Sequence, residues 1–388
     1  MKRMRIAVLA VASLLAACAK SGDSPTEVPD GEDDAAMNDS LVGDGPRLGD
    51  TGDTIDAADA ADGSDGKTDV ARDAPIDAGS TLPRCGGAPG LRGAFLAVTN
   101  DPPAPFWGRA VDAMAALGMT DVVIQTVAYP PVGGVPNAVD ARNIKAVLDA
   151  AKAHGMRVLI GLAQSDGNGD PAKAADATFI GKVIDQSKLS AKDIVTTYGA
   201  DAAFDGFYLS MEPWTPQTPT ELGHLPEYVQ QVSVYARSVA PHAVRIAMSP
   251  FVSGAALKKD PAPTEAAYRS MLATASIDIV MLQDGVGVLR LDGAAIADVV
   301  PLFRAMKAAC TARSVALWAN VESFALDTAG TAKPTTFDRL LLQLRAAGDT
   351  TVDVVTYEFT GDMFGEGKGG VAAQTLVDRY RAGCTFTR

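Results

Sequence analysis

Residues 85–388 are predicted to form one closed (β/α)8 barrel. Short runs rich in Val, Ile, Leu and Phe alternate with Ala-rich segments of helical period. Strands alternating with helices imply right-handed crossovers and a parallel sheet. The unit recurs eight times in about 300 residues, the span of a closed barrel, with an open doubly wound sheet as the alternative topology.

The strands fall at 92–98, 121–127, 157–163, 204–210, 243–249, 277–283, 315–321 and 352–358. The helices fall near 106–117, 139–154, 175–199, 219–239, 264–274, 293–312, 335–347 and 370–382. Gly118, Gly155 and Gly348 each follow an apolar helical stretch and precede a strand, as helix-ending glycines do. Thr335-Thr336 and Asp292 stand where N-caps are needed.

The N-terminus carries a different kind of information. Lys2, Arg3 and Arg5 precede an apolar run from Ile6 to Ala17, which closes on Leu15-Ala16-Ala17-Cys18. A basic start, a short apolar stretch and small residues at a cleavage point define a secretory signal over 1–18. The run is shorter than the ~20 residues a membrane-spanning helix needs. Its end resembles the lipobox of bacterial lipoproteins, which implies that Cys18 is lipidated and becomes the new N-terminus. The protein is then expected to be exported and held on the cell envelope by lipid alone.

Residues 19–84 contain 17 acidic and 5 basic residues and no aromatic one. Such a segment cannot bury enough apolar surface to offset its ordering entropy, so a disordered, self-repelling linker is expected. Most of the net charge of −13 lies there. The mildly acidic remainder has no basic cluster and argues against a nucleic-acid partner. A monomer is expected.

Cys85 opens the folded region, Cys384 nearly closes it and Cys310 lies between. In a closed barrel the chain enters the first strand and leaves the last helix at the same end. Cys85–Cys384 is therefore the favoured disulfide, with Cys310–Cys384 as the rival. The three histidines (His154, His224 and His242) do not cluster with carboxylates at strand ends, so neither a metal nor a cofactor is expected. Asp166-Gly167-Asn168-Gly169-Asp170 mimics a calcium loop but has Pro171 where glycine is required, and reads as a polar turn.

In this fold, chemistry sits at the C-terminal ends of the strands. Three glutamates occur there: Glu212 after the fourth strand, Glu322 after the seventh and Glu358 after the eighth. Ionisable residues in otherwise apolar strands are costly unless paired or functional. Two carboxylates across a mouth are what glycoside hydrolysis needs, one as acid and the other as nucleophile or base. Trp214 and Trp107 are candidate stacking faces for a sugar ring. Gln125, Tyr129, Gln283, Asp284, Asn320 and Glu358 complete the expected binding set, and Trp318 is expected to fill the barrel interior.

Glutamates on strands four and seven, the first followed by Pro213, resemble the large clan of retaining glycosidases. The resemblance implies Glu212 as acid/base and Glu322 as nucleophile. It departs at Met211, where the clan carries a sugar-binding asparagine. Phe207-Tyr208, Ser249-Pro250-Phe251, Gln283-Asp284-Gly285-Val286-Gly287 and Trp318-Ala319-Asn320-Val321-Glu322 further resemble a family of glycosidase-like bacterial barrels. On that reading Glu212, beside Trp214, holds its proton above the usual range, and Glu322, near Asn320, stays ionised. A carbohydrate-binding lipoprotein without turnover is the alternative, favoured by Met211. A structural or partner-docking barrel is a third class.

Overall fold

The computed structural model describes residues 82–386 except 133, 134, 166 and 168, with the backbone alone at 129–132 and 135–137. The expected signal, the expected lipidation site Cys18 and the linker as far as residue 81 lie outside the described residues, as does the side chain of Tyr129.

Eight parallel strands close into a barrel: β1 (Gly93–Leu96), β2 (Asp121–Ile124), β3 (Arg157–Gly161), β4 (Phe204–Leu209), β5 (Arg245–Met248), β6 (Ile279–Gln283), β7 (Ala316–Glu322) and β8 (Val354–Tyr357). Neighbours in sequence are neighbours in space, and β8 pairs β1 with Val355 opposite Gly93 and Thr356 opposite Ala94. This is the predicted barrel, and closure removes the open-sheet alternative.

The outer helices are α1 (Ala104–Ala116), α2 (Ala141–Ala153), α3 (Ala177–Tyr198), α4 (Leu225–Val239), α5 (Ala262–Thr274), α6 (Val300–Thr311), α7 (Phe337–Gly348) and α8 (Gly370–Gly383). Capping sets several starts: Asp140, Asp176 and Thr336 each accept a backbone N–H from the first turn. The helix expected over 293–312 is two pieces, a 3-10 segment capped by Asp292 and then α6. Pro301, which lacks an N–H, sits in the first turn of α6, where that lack is tolerated. Gly118 and Gly155 end helices at φ +73° and +65°, as expected. Gly348 does not: it is the last residue of α7, close against Pro89.

Strand alternation sorts side chains into two cores. Phe95, Val123, Leu159, Tyr208, Ala247, Ile279, Met281, Trp318 and Val355, drawn from all eight strands, fill the barrel interior. The alternate residues pack outward against the helices. Met211 belongs to this outer apolar layer and is buried.

At the end where the strands begin, buried charge is matched by charge. Asp121 accepts from Arg92 at 2.8 Å, Arg245 at 2.8 Å and Arg157 at 3.2 Å. Burial alone would raise the Asp121 pKa, but the three guanidiniums pull it below the ordinary value. Arg92 and Arg245 also lie over the Trp318 ring, 4.7 and 5.6 Å from its centroid. At the same end Cys85 and Cys384 form a disulfide, register partners in a small antiparallel sheet, and Cys310 is free and buried.

Two hairpins were not foreseen. Ala128–Val132 pairs with Val135–Ala138 after β2, and Phe324–Leu326 with Ala332–Pro334 after β7. Both leave the strand ends and so flank the mouth.

Candidate active site

The inward register that builds the interior core continues upward into polar residues. Gln125 follows β2, Ser249 follows β5, Gln283 ends β6, Asn320 and Glu322 lie on β7 and Tyr357 ends β8. These residues bond mostly to each other. Gln283 Nε2 donates to the Ser249 carbonyl at 2.8 Å, Asn320 Nδ2 donates to Ser249 Oγ at 3.1 Å, and the Tyr357 hydroxyl reaches Gln125 Oε1 at 3.4 Å. Asn320 Oδ1 is buried and has no hydrogen-bond partner among the described residues.

Glu212 lies just beyond β4, 8% exposed, and its Oε1 accepts the Tyr208 hydroxyl at 3.0 Å. Burial, then the charge of Glu212, hold the Tyr208 pKa well above the ordinary phenol value, so Tyr208 stays a donor. The Tyr208 ring meets Phe95 edge-on at 5.1 Å, and Phe95 meets Tyr357 at 5.9 Å. Aromatic contact therefore runs across the barrel from the β4 side to the β8 side.

Glu322 is held differently. The loop after β6 is the Gln283–Gly287 motif, and each member has a structural task. Asp284 Oδ1 accepts from Val286 N at 3.1 Å and from Glu322 N at 3.2 Å. Gly285 turns the chain at φ +64°, a conformation side chains disfavour. At Gly287 an added Cβ would lie 2.9 Å from Glu322 Oε2 and 2.6 Å from the Phe324 carbonyl. The close approach this glycine permits lets Val288 N donate to Glu322 Oε2 at 2.8 Å.

The electrostatics of Glu322 differ from expectation. Its side chain is 1% exposed, and no cation among the described residues lies within salt-bridge distance of it. Burial, and then the charge of Asp284, push its pKa up to about 8, against smaller opposing effects from loop amides and Arg339. Burial likewise pushes Asp284 up to about 6. Glu322 is therefore not the ionised member that its proximity to Asn320 suggested. Asn320 turns its amide to Ser249 instead.

Other expectations are also corrected. Glu358 is a helix cap: its carboxylate accepts from Thr360 N at 2.9 Å and Gly361 N at 2.7 Å, over the short helix Phe359–Asp362. Trp107 is buried against Phe106 and donates to the Pro102 carbonyl at 2.9 Å, so it packs a loop rather than a ligand. Trp214 is 3% exposed, tilted over Phe251, and offers no open ring face. Asp284 turns away from the mouth toward α7, where Gln343 Nε2 donates to its Oδ2 at 2.7 Å. Gln283 and Asn320 are register partners on β6 and β7, Gln125 follows β2 within reach of Tyr357, and Glu212 and Glu322 lie at the same end of the barrel.

Sequence reasoning named Tyr208 only as part of a family-like run and gave it no role, and it did not single out Arg339 or Gln343. Tyr208 was detectable as a hydroxyl at an inward strand position. Arg339 and Gln343 are four apart on α7, on the face that also buries Leu340 and Leu344, which marks them as polar residues turned inward. Arg339 donates to the carbonyls of Val286, Leu291 and Phe324, clamping the loops after β6 and β7.

A family model described as a domain of unknown function (DUF4434) matches residues 91–368, nearly the whole barrel. The chain belongs to this family. Among solved structures, this DUF4434 barrel is similar to a candidate alpha-L-fucosidase from Bacteroides thetaiotaomicron. The TM-score is 0.62 at 19% identity, over 77% of this chain and 96% of that one. It is also similar to the endo-1,4-beta-mannanase of Rhizomucor miehei, with a TM-score of 0.51 at 11% identity, again over 77% and 96%. At these identities the likeness is one of fold. No protein of curated function matches the sequence.

Proposed function

We propose that this DUF4434 chain is a cell-envelope lipoprotein whose barrel hydrolyses glycosidic bonds of an oligo- or polysaccharide, with Glu212 and Glu322 as the catalytic pair. One observation carries the reading: two buried glutamates stand at the C-terminal ends of β4 and β7, one just beyond its strand and bonded to a barrel tyrosine, the other ending its strand and cradled by loop amides. Buried acid at the other end of the barrel is bound by three arginines and serves stability. Glu322 has no such ion pair among the described residues and keeps a proton-binding carboxyl near neutral pH. The amide and hydroxyl groups of Gln125, Gln283, Asn320 and Tyr357 supply the donors and acceptors that a sugar requires.

Chemically, one carboxyl must protonate the leaving oxygen while the other attacks the anomeric carbon. Position within the resembling clan makes Glu212 the acid/base and Glu322 the nucleophile; Glu322 must then lose its proton before it attacks. Glu212→Ala and Glu322→Ala test this on an activated aryl glycoside. Loss of the nucleophile abolishes turnover, whereas loss of the acid costs least where the leaving group is already good. Azide rescues both, with opposite anomeric configurations. Wild-type rates in both variants, on a substrate the parent cleaves, would falsify the assignment.

A second reading, carbohydrate binding without turnover, is favoured by the 1% exposure of Glu322 and by Met211 in the outer core. A polysaccharide panel that is bound but releases no reducing sugar would select it. The envelope location rests on Cys18: Cys18→Ser is expected to abolish labelling by radioactive palmitate and to release the protein from membranes. Labelling that persists in that variant excludes the anchor.

A further inference from the structure

We propose that Asp284 is the positioning residue of Glu322, tying the end of β7 to the loop after β6 and standing as the negative neighbour of the Glu322 carboxyl. The functional part of this proposal rests on the reading of Glu322 given above.

The geometry is direct. Asp284 Oδ1 takes two backbone N–H groups, from Val286 at 3.1 Å and Glu322 at 3.2 Å. Gln343 Nε2 bridges Asp284 Oδ2 at 2.7 Å and the Glu322 carbonyl at 3.0 Å. Asp284 thus grips the backbone of Glu322 directly and through α7. It does not face the mouth, so it acts through Glu322 rather than on a substrate.

Its second effect is electrostatic. Asp284 is 2% exposed and Glu322 1%, and two neighbouring buried carboxyls resist joint ionisation. The charged groups acting on Glu322 are Asp284, from the loop after β6, and Arg339, from α7. Arg339 spends its donors on the carbonyls of Val286, Leu291 and Phe324 and on the Thr335 hydroxyl, and forms no ion pair with either acid. The pair therefore shares a proton near neutral pH. Asp284 sets the pH at which Glu322 gives that proton up before its attack.

Carboxyl-carbon NMR titration of the full chain, labelled at Asp and Glu, tests this without a substrate. The Glu322 signal is the one lost in Glu322→Gln. In Asp284→Asn the Glu322 midpoint is expected to fall by at least about one pH unit, a tenfold loss of proton affinity. If Asp284→Asn does not fold, the wild type decides: the Asp284 signal is expected to titrate first and the Glu322 signal only above it, and a Glu322 midpoint at or below that of Asp284 overturns the proposal. An unmoved Glu322 midpoint in folded Asp284→Asn likewise overturns it, because a purely structural role leaves that carboxyl unshifted. A chain that hydrolyses no sugar yet shows the coupling refutes only the proposed function. A chain that hydrolyses sugar without the coupling refutes only this inference.

Discussion

The Tyr208 hydroxyl donates to Glu212 Oε1 at 3.0 Å, joining a ring inside the barrel to a carboxyl at its mouth. The two residues are four apart, the first on β4 and the second in the loop it feeds. A strand in regular register would carry residues 208 and 212 to the same side, so the bond follows from the alternation that builds the core.

Tyr208→Phe keeps the ring contacts with Phe95 and removes this bond alone. The buried Glu212 carboxyl then loses a donor that no water readily replaces. The expected cost is about 1–3 kcal/mol, read from urea unfolding at pH 7. A change below about 0.5 kcal/mol would mean that the hydroxyl is not bonded to Glu212 in solution.

The contrast between Tyr208 and Glu358 shows where the sequence could be read and where it could not. The barrel was legible because eight apolar runs of strand length each meet an Ala-rich segment of helical period, several of them with a cap or stop signal. Inward positions such as Gln125, Gln283 and Asn320 were legible from alternation alone. Glu358 looked equivalent to Glu212 and Glu322, yet it turns back to cap Phe359–Asp362, a choice settled by the next three residues. Asp284 is one residue past an inward position, so its orientation depended on the Gly285 turn and on Gln343, which lies far away in sequence. Trp107 and Trp214 carried no signal separating a loop anchor from a sugar platform. Burial decides that, and burial is a property of the packed loops.

The Cys85–Cys384 disulfide closes a loop with a sequence separation of 299. It joins the two ends of the barrel in the unfolded chain, so its removal enlarges the unfolded ensemble. Cys85→Ser with Cys384→Ser is expected to cost about 2–5 kcal/mol. Denaturation with and without reductant checks this. Equal stability in the two conditions, with the bond verified by mass, would show that the closure contributes nothing.

Gly287→Ala should disturb Glu322 more than its size suggests. The new Cβ would meet the Phe324 carbonyl at 2.6 Å and Glu322 Oε2 at 2.9 Å, so either the loop or the carboxyl must move. Overpacking of this kind costs about 1–3 kcal/mol. Thermal melting of Gly287→Ala beside Gly108→Ala, where the added carbon would meet only the Ala146 carbonyl at an ordinary 3.9 Å, separates crowding from the loss of glycine itself. A loss no larger at Gly287 than at Gly108 would contradict the packing described for Glu322.

Stability should also carry the signature of Glu322 as pH changes. Its folded value is about 8 against an ordinary 4.5, so between those limits the folded chain keeps a proton that the unfolded chain releases. Its contribution is full below pH 4.5, falls as pH rises toward 8, and is level above that. The fall is at most about 1.4 kcal/mol per pH unit for one proton. Glu322→Gln is neutral in both states and loses this slope, while Asp284, which releases its proton first with Glu322 still neutral, keeps its own. Urea unfolding of both proteins between pH 4.5 and 9 checks the sign. The wild type should lose stability relative to Glu322→Gln across the window, and parallel curves would mean that Glu322 ionises as an ordinary surface carboxyl.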